Sequence, residues 1–198
     1  MSPKAVLRPL ILASTSRYRA ALLGRFGLAF NTASPAVDES EQASEAPRDR
    51  AFRLSEAKAE AVAALYPEAV IIGGDQVAAL GGRVLRKPGN ANTCREQLRL
   101  LSEAAAEFHT ACTVRCLSAA LKLTHVDLTT VALRALTDVD IDRYIEREQP
   151  FDCAGGFKAE TLGITLFERM DSQDPTAIVG LPLIWLAGAL RTAGYSLP

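Results

Sequence analysis

The 198-residue chain carries only 2 His and 4 Cys, and that scarcity removes whole classes of chemistry. Two histidines cannot supply an H-E-x-x-H or Cys₂His₂ zinc site. Cys94, Cys112, Cys116 and Cys153 contain no C-x-x-C pair and are too sparse for a disulfide scaffold. Cys112 and Cys116 fall at even spacing in a strand-like run, which reads as two small hydrophobes on one face. No G-x-S-x-G elbow, Walker A loop or G-x-G-x-x-G fingerprint is present. Any chemistry must therefore rest on carboxylates, amines and hydroxyls.

Long apolar runs are missing too. The opening stretch Pro9-Leu10-Ile11-Leu12-Ala13 is too short for the hydrophobic part of a signal peptide, and 181–190 is half the ~20 residues of a membrane span. A cytoplasmic protein without a membrane partner is the expectation. Excess charge of one sign is also lacking: 22 Lys+Arg oppose 23 Asp+Glu, which argues against a nucleic-acid partner. What is present, 48% hydrophobic residues and 23% charged, suits one globular domain spanning 1–198.

Buried strands are expected at 10–13 and 69–75, with further strands near 28–33, 110–117, 123–133 and 164–169. Gly81-Gly82 closes a hairpin returning through 83–86. Ser14-Thr15-Ser16 offers N-cap chemistry for a helix reaching about Phe26, and Pro47 starts a second helix to about Tyr66. Helical signals recur at 92–101, 137–148 and 181–193, and the acidic stretch 38–49 reads as a long loop. The alternation gives an α/β class with a mixed sheet.

Some charges stand where apolar residues belong. The first helix buries Leu22, Leu23 and Phe26, and Arg19 lies on that stripe. The second has Leu54, Ala61, Val62 and Leu65 as its stripe, with Lys58 upon it. Either cation alone reads as snorkelling; together they point to a cationic pocket. Asp75 ends an apolar strand, where a turn aspartate and a ligand-site aspartate are both expected. Lys87-Pro88 and Asp38-Glu39 add an amine and two carboxylates. This set suits phosphate chemistry with an oxygen-ligated divalent metal.

The stretches Leu10-Ile11-Leu12-Ala13-Ser14-Thr15-Ser16 with Arg19, Val37-Asp38-Glu39, Glu56-Ala57-Lys58-Ala59, Gly74-Asp75-Gln76-Val77 and Lys87-Pro88 resemble the Maf family of nucleoside triphosphate pyrophosphatases. The resemblance continues through Cys153-Ala154-Gly155-Gly156-Phe157-Lys158-Ala159-Glu160 to Asp174-Pro175 and Gly180-Leu181-Pro182-Leu183, covering nearly the whole chain. It implies a mixed twisted sheet flanked by helices, with two lobes about a central cleft, as in inosine triphosphatases, and a homodimer. It also implies an acid-anhydride hydrolase that splits a nucleotide between its α- and β-phosphates with Mg²⁺ or Mn²⁺. Asp75 then corresponds to the proton acceptor, and Arg19, Glu39, Lys58 and Lys87 to the other polar site residues. Ser14 and Ser16 line the phosphate end, and Glu39 with Asp75 are the metal ligands.

Tyr18, Gln76 and Glu160 occupy the positions that separate the family's branches and are similar to the branch acting on 7-methyl-GTP. The dTTP/UTP branch carries Arg, Thr and Gln there. An aromatic face and a carboxylate suit the cationic N7-methylated base. A dTTP, UTP or other modified-nucleotide pyrophosphatase is the alternative, as is a non-catalytic nucleotide-binding regulator of septum formation. Arg17 stands where the family usually has proline, Gly73-Gly74 where it has a Gly-Ser type pair, Arg86 where it has glycine, and Thr161 where glycine is common.

Overall fold

A computed structural model describes residues 7–198. Among these described residues seven strands form one mixed sheet: β1 (Leu10–Ala13), β2 (Asn31–Ala33), β3 (Val70–Leu80), β4 (Arg83–Leu85), β5 (Ala105–Cys116), β6 (Leu121–Leu133) and β7 (Phe167–Asp171). Their order is β2-β1-β3-β5-β6-β7, with β4 paired to β3. β1 runs parallel to β2 and β3, and the other pairs are antiparallel. Five helices flank the sheet: α1 (Arg17–Gly24), α2 (Pro47–Leu65), α3 (Ala91–Leu101), α4 (Asp138–Glu148) and α5 (Leu183–Thr192).

Alternation along the strands divides the core. Leu10, Leu12, Val70 and Ile72 point to one face and pack with Leu22 and Leu23 of α1 and Leu186 and Leu190 of α5. Ile11, Ala13 and Ile71 point to the other and pack under Ala59, Val62 and Ala63 of α2. Cys112 and Cys116 are both buried on the α1/α5 face, as their spacing predicts. A second large cluster joins the far halves of the long strands to α3 and α4 through Phe108, Val131, Leu98, Ile141 and Tyr144. Strands β3, β5 and β6 thus run through both cores, and a cleft opens between them.

The pairing register places that cleft. β1 pairs with β3 only as far as Gly73, and β4 begins pairing at Ala78, whereas β5 accompanies β3 from Ile71 to Ala79. Residues 74–77 therefore have an uncovered edge beyond the carboxyl end of β1, the usual place for a ligand crevice in α/β sheets. Asp75 does not end its strand, as the sequence suggests; it is the partner strand that stops. β3 continues because its polar residues face the crevice.

Several other expectations shift. Residue 28 precedes β2 rather than joining it, and Ile164 lies in a 3₁₀ turn, Leu162–Leu166, ahead of β7. On α2, Leu65 is exposed and Ala61 only half-buried. The buried face instead comprises Ala51, Leu54, Ser55, Lys58, Ala59, Val62 and Ala63. Lys58 stays on it. Among the described residues no helix is long and apolar enough to cross a membrane.

Candidate active site

The cleft has a volume of about 810 Å³ and is lined by Ser14, Ser16, Tyr18, Arg19, Glu39, Lys58, Asp75, Gln76, Lys87 and Glu160, whereas Asp38 turns away and accepts from Ser40. Its centre is an ammonium between two carboxylates. Lys58 Nζ donates to Asp75 Oδ1 at 2.7 Å and lies 2.8 Å from Glu39 Oε1. Lys58 and Asp75 are buried while Glu39 is more than half exposed. Burial raises the Asp75 carboxyl above its usual range, even though Lys58 and Arg19 pull it down. Burial also pushes Glu39 upward, but the Lys58 hydrogen bond and charge, with Arg19 and Lys87, bring it below its ordinary value.

A glycine makes the Lys58–Asp75 contact. Gly73 sits two residues before Asp75 on the same face, and a Cβ there would run into the Ser55 carbonyl and come 2.8 Å from Ala59. The missing side chain lets α2 lie directly on β3. Ser55 secures that packing from within, its hydroxyl 2.9 Å from Thr113 of β5. Arginines in the first turns of α2 hold the acidic loop that delivers Glu39. Arg50 bonds Glu41 at 2.7 Å and the Glu39 carbonyl at 3.1 Å, while Arg53 pairs with Glu45 and the Ser40 carbonyl. The loop is thus tied down, not merely solvated.

The second cation enters from the opposite face of the sheet. Arg19 does not snorkel: its Nε donates to the Gly180 carbonyl at 3.1 Å and its Nη1 to Ser14 Oγ at 3.4 Å. Gly180 has φ +129°, and a Cβ on it would meet the Arg19 side chain at 3.3 Å. Burial lowers the guanidinium's pKa, opposed by Asp75, Cys112 and Glu39. Ser16 caps α1, accepting from Arg19 N, and Ser14 Oγ accepts from Ser16 N at 3.1 Å. The first-turn N–H groups of α1 have no intrahelical carbonyl to reach, so this part of the cleft presents backbone donors of the kind that suit an anion. Lys87 follows β4, exposed on the far wall.

Close to the Arg19–Gly180 contact, Gln76 Nε2 donates to Thr110 Oγ1 at 2.9 Å and to the Ala177 and Ile178 carbonyls at 3.0 Å. Only the amide nitrogen can face two carbonyls, so Oε1 is the end left to the cleft. Tyr18 and Glu160 line the cleft together with two residues that sequence reasoning missed, Asp152 and Cys153, the Tyr18 hydroxyl lying 3.1 Å from Asp152 Oδ2. The signal for Asp152 was faint, a single charge before the Cys153–Gly156 stretch with no periodicity to mark its direction.

The carboxylates also bear on metal binding. Among the described residues no group of three or more His, Cys, Asp or Glu is placed to hold an ion. Asp75 and Glu39 nonetheless converge on one point, the Lys58 ammonium, and offer hard oxygen donors. Mg²⁺ commonly takes one or two carboxylates and completes its shell with water and substrate phosphates; since Lys58 holds Asp75 Oδ1 and Glu39 Oε1, the donors that remain for such an ion are the second oxygen of each.

With this geometry in view, comparison with known proteins is decisive. The family described as Maf-like protein matches residues 9–193. The chain belongs to the Maf family. The 7-methyl-GTP pyrophosphatase of Xanthomonas axonopodis pv. citri (strain 306) is 52% identical over 189 residues, covering 96% of this chain and 98% of the relative. That of Bordetella avium (strain 197N) is 52% identical over 186 residues, 93% of each chain. The structure of the Staphylococcus aureus Ham1 protein is a looser neighbour, with a TM-score of 0.45 and 12% identity over 64% of this chain and 72% of that one.

Proposed function

We propose that this Maf-family protein hydrolyses 7-methyl-GTP to 7-methyl-GMP and pyrophosphate. The observation that carries the reading is a buried, Lys58-bound Asp75 in a cleft that is also lined by Ser14, Ser16, Arg19 and Lys87 and by Tyr18 and Glu160. The names of relatives 52% identical over nearly their full length support the same substrate.

The roles follow from position. The α1 N-terminus with Ser14 and Ser16, together with Arg19, Lys58 and Lys87, neutralises the triphosphate and draws it against the β3 edge. Asp75 accepts the proton of the attacking water. Its burial keeps it a better base than an exposed aspartate, and the Lys58 hydrogen bond aims it. Glu39 and Asp75 would hold a divalent ion, Mg²⁺ or Mn²⁺, which supplies Lewis-acid charge to the phosphate oxygens when bound. Tyr18 and Glu160, which line the same cleft, would take the base, the ring lying beside it and the carboxylate complementing its positive charge.

The test is pyrophosphate release from 7-methyl-GTP, GTP, dTTP and UTP with Mg²⁺ or Mn²⁺. The proposal expects the highest kcat/KM on 7-methyl-GTP. Release from dTTP and UTP alone would reverse the substrate assignment, and no release from any of the four would leave the protein a nucleotide binder.

A further inference from the structure

At the mouth of the cleft the protein binds a cation of its own. The Arg17 guanidinium lies over the Tyr18 ring, 4.9 Å from its centroid. It donates to the Tyr18 hydroxyl at 2.9 Å and reaches Asp152 Oδ2 at 3.4 Å. The Tyr18 hydroxyl donates to the same carboxylate oxygen at 3.1 Å. Burial, the largest influence, helps push the Tyr18 hydroxyl up to about 12, so it remains a donor at neutral pH. The three residues assemble an aromatic face, a carboxylate at its edge and a planar cation stacked above.

The cation is the replaceable member. The Arg17 side chain is 74% exposed, and a solvated ion pair of this kind is weak. Asp152, by contrast, is held by the Tyr18 hydroxyl and by Cys153, whose Sγ is 3.5 Å from Oδ1. Glu160 faces the same region and has no hydrogen-bonded partner among the described residues.

Guanine contains the same donor fork that arginine offers. Its N1–H and N2 amino group project side by side from one edge, matching the two oxygens of a carboxylate, and N7-methylation spreads a positive charge over the ring. A 7-methylguanine base thus reproduces the planarity and charge of the Arg17 guanidinium and brings two parallel donors where Arg17 reaches Asp152 through Nη2 alone. Uracil and thymine offer one N–H between two carbonyls that a carboxylate repels. Adenine presents an acceptor where guanine has N1–H.

The geometry points to Asp152 as the residue that reads the donor edge of guanine. It also points to Arg17 as an internal competitor, occupying the base site on Tyr18 until the nucleotide displaces it. The inference rests on the 7-methyl-GTP reading and deepens it, since the charge argument for Glu160 explains the methyl group but not the guanine.

Calorimetric binding of 7-methyl-GMP, GMP and UMP tests the assignment independently of turnover, and KM and kcat for 7-methyl-GTP complete it. Asp152→Asn is expected to weaken 7-methyl-GMP and GMP by about tenfold or more, the scale of one paired base contact, and to leave UMP unchanged. Arg17→Ala is expected to tighten 7-methyl-GMP severalfold and lower KM without changing kcat. Equal weakening of all three nucleotides by Asp152→Asn would make Asp152 a structural support and overturn its base-reading role. Weaker binding in Arg17→Ala would make Arg17 a phosphate ligand and overturn the competitor. A wild-type protein that binds 7-methyl-GMP but releases no pyrophosphate would sink the enzymatic reading while the Asp152 comparison still decides this one.

Discussion

Lys58 Nζ sits within 3 Å of both Asp75 and Glu39, yet the two carboxyls move in opposite directions. The difference is exposure: desolvation prevails at Asp75, while attraction prevails at the half-open Glu39. A carboxylate must be ionised to take a proton from water, so activity falls as pH drops through the Asp75 pKa. Because burial raises that pKa, the acidic limb of kcat/KM is expected above the ~4 of an ordinary aspartate. Lys58 favours the ionised form, so Lys58→Met is expected to move the limb to still higher pH besides lowering the rate. A limb at or below 4 in the wild type, or a downward shift in the variant, would contradict this reading of the site. At this scale the sequence was informative wherever a charge broke an apolar period: Arg19 and Lys58 were legible from their stripes. Asp152 was not, because a loop has no period to break, and Leu65 misled because α2 extends past the sheet it covers.

Among the elements, α2 and β3 create the site by approaching closely, and Gly73 permits it. Gly73→Ala would force the helix off the strand at Ser55 and Ala59. Overpacking of this kind costs about 1–3 kcal/mol. The expected result is a lower urea midpoint together with a loss of kcat larger than any change in KM, as Lys58 withdraws from Asp75. Full activity with unchanged stability would mean the helix can shift freely. Against the family's Gly-Ser type pair only Gly74 departs; the need for glycine at 73 became clear only from Ser55 and Ala59 lying above it. The length of β3 was similarly hidden. Apolar runs mark strands buried on both faces, whereas Asp75 and Gln76 are polar because β1 stops short and leaves them a cleft. The anchoring of the acidic loop was not legible in the sequence, because Arg50 and Arg53 lie eight or nine residues from the Glu41 and Glu45 they bind.

For the molecule as a whole, a formal charge of −1 conceals an uneven distribution. The cleft gathers Arg17, Arg19, Arg50, Lys58, Arg86 and Lys87 against Glu39, Asp75, Asp152 and Glu160, so it is locally cationic and suited to a small polyanion. The walls come from both cores, so a bound nucleotide should brace the entire fold. At a hundredfold excess over Kd, 7-methyl-GMP is expected to add about 2.7 kcal/mol. For a chain of this size that corresponds to a rise in Tm of roughly 5–10 °C. No rise, with binding shown by calorimetry, would place the nucleotide outside the cleft. The mixed sheet and flanking helices were largely legible from alternation and caps; the cleft was not, since it depends on register across strands far apart in the chain.

The central claim, that Asp75 is the base for pyrophosphate release, is tested most directly by single-turnover hydrolysis of 7-methyl-GTP with the wild type and Asp75→Asn under saturating Mg²⁺. The substitution keeps the side chain's size and removes its ability to take the proton, together with the negative charge that pairs with Lys58; saturating Mg²⁺ offsets the weaker hold on the ion. The account predicts a rate at least about a hundredfold lower, the scale of general-base catalysis, with affinity for 7-methyl-GMP retained. A variant as fast as the wild type would contradict it.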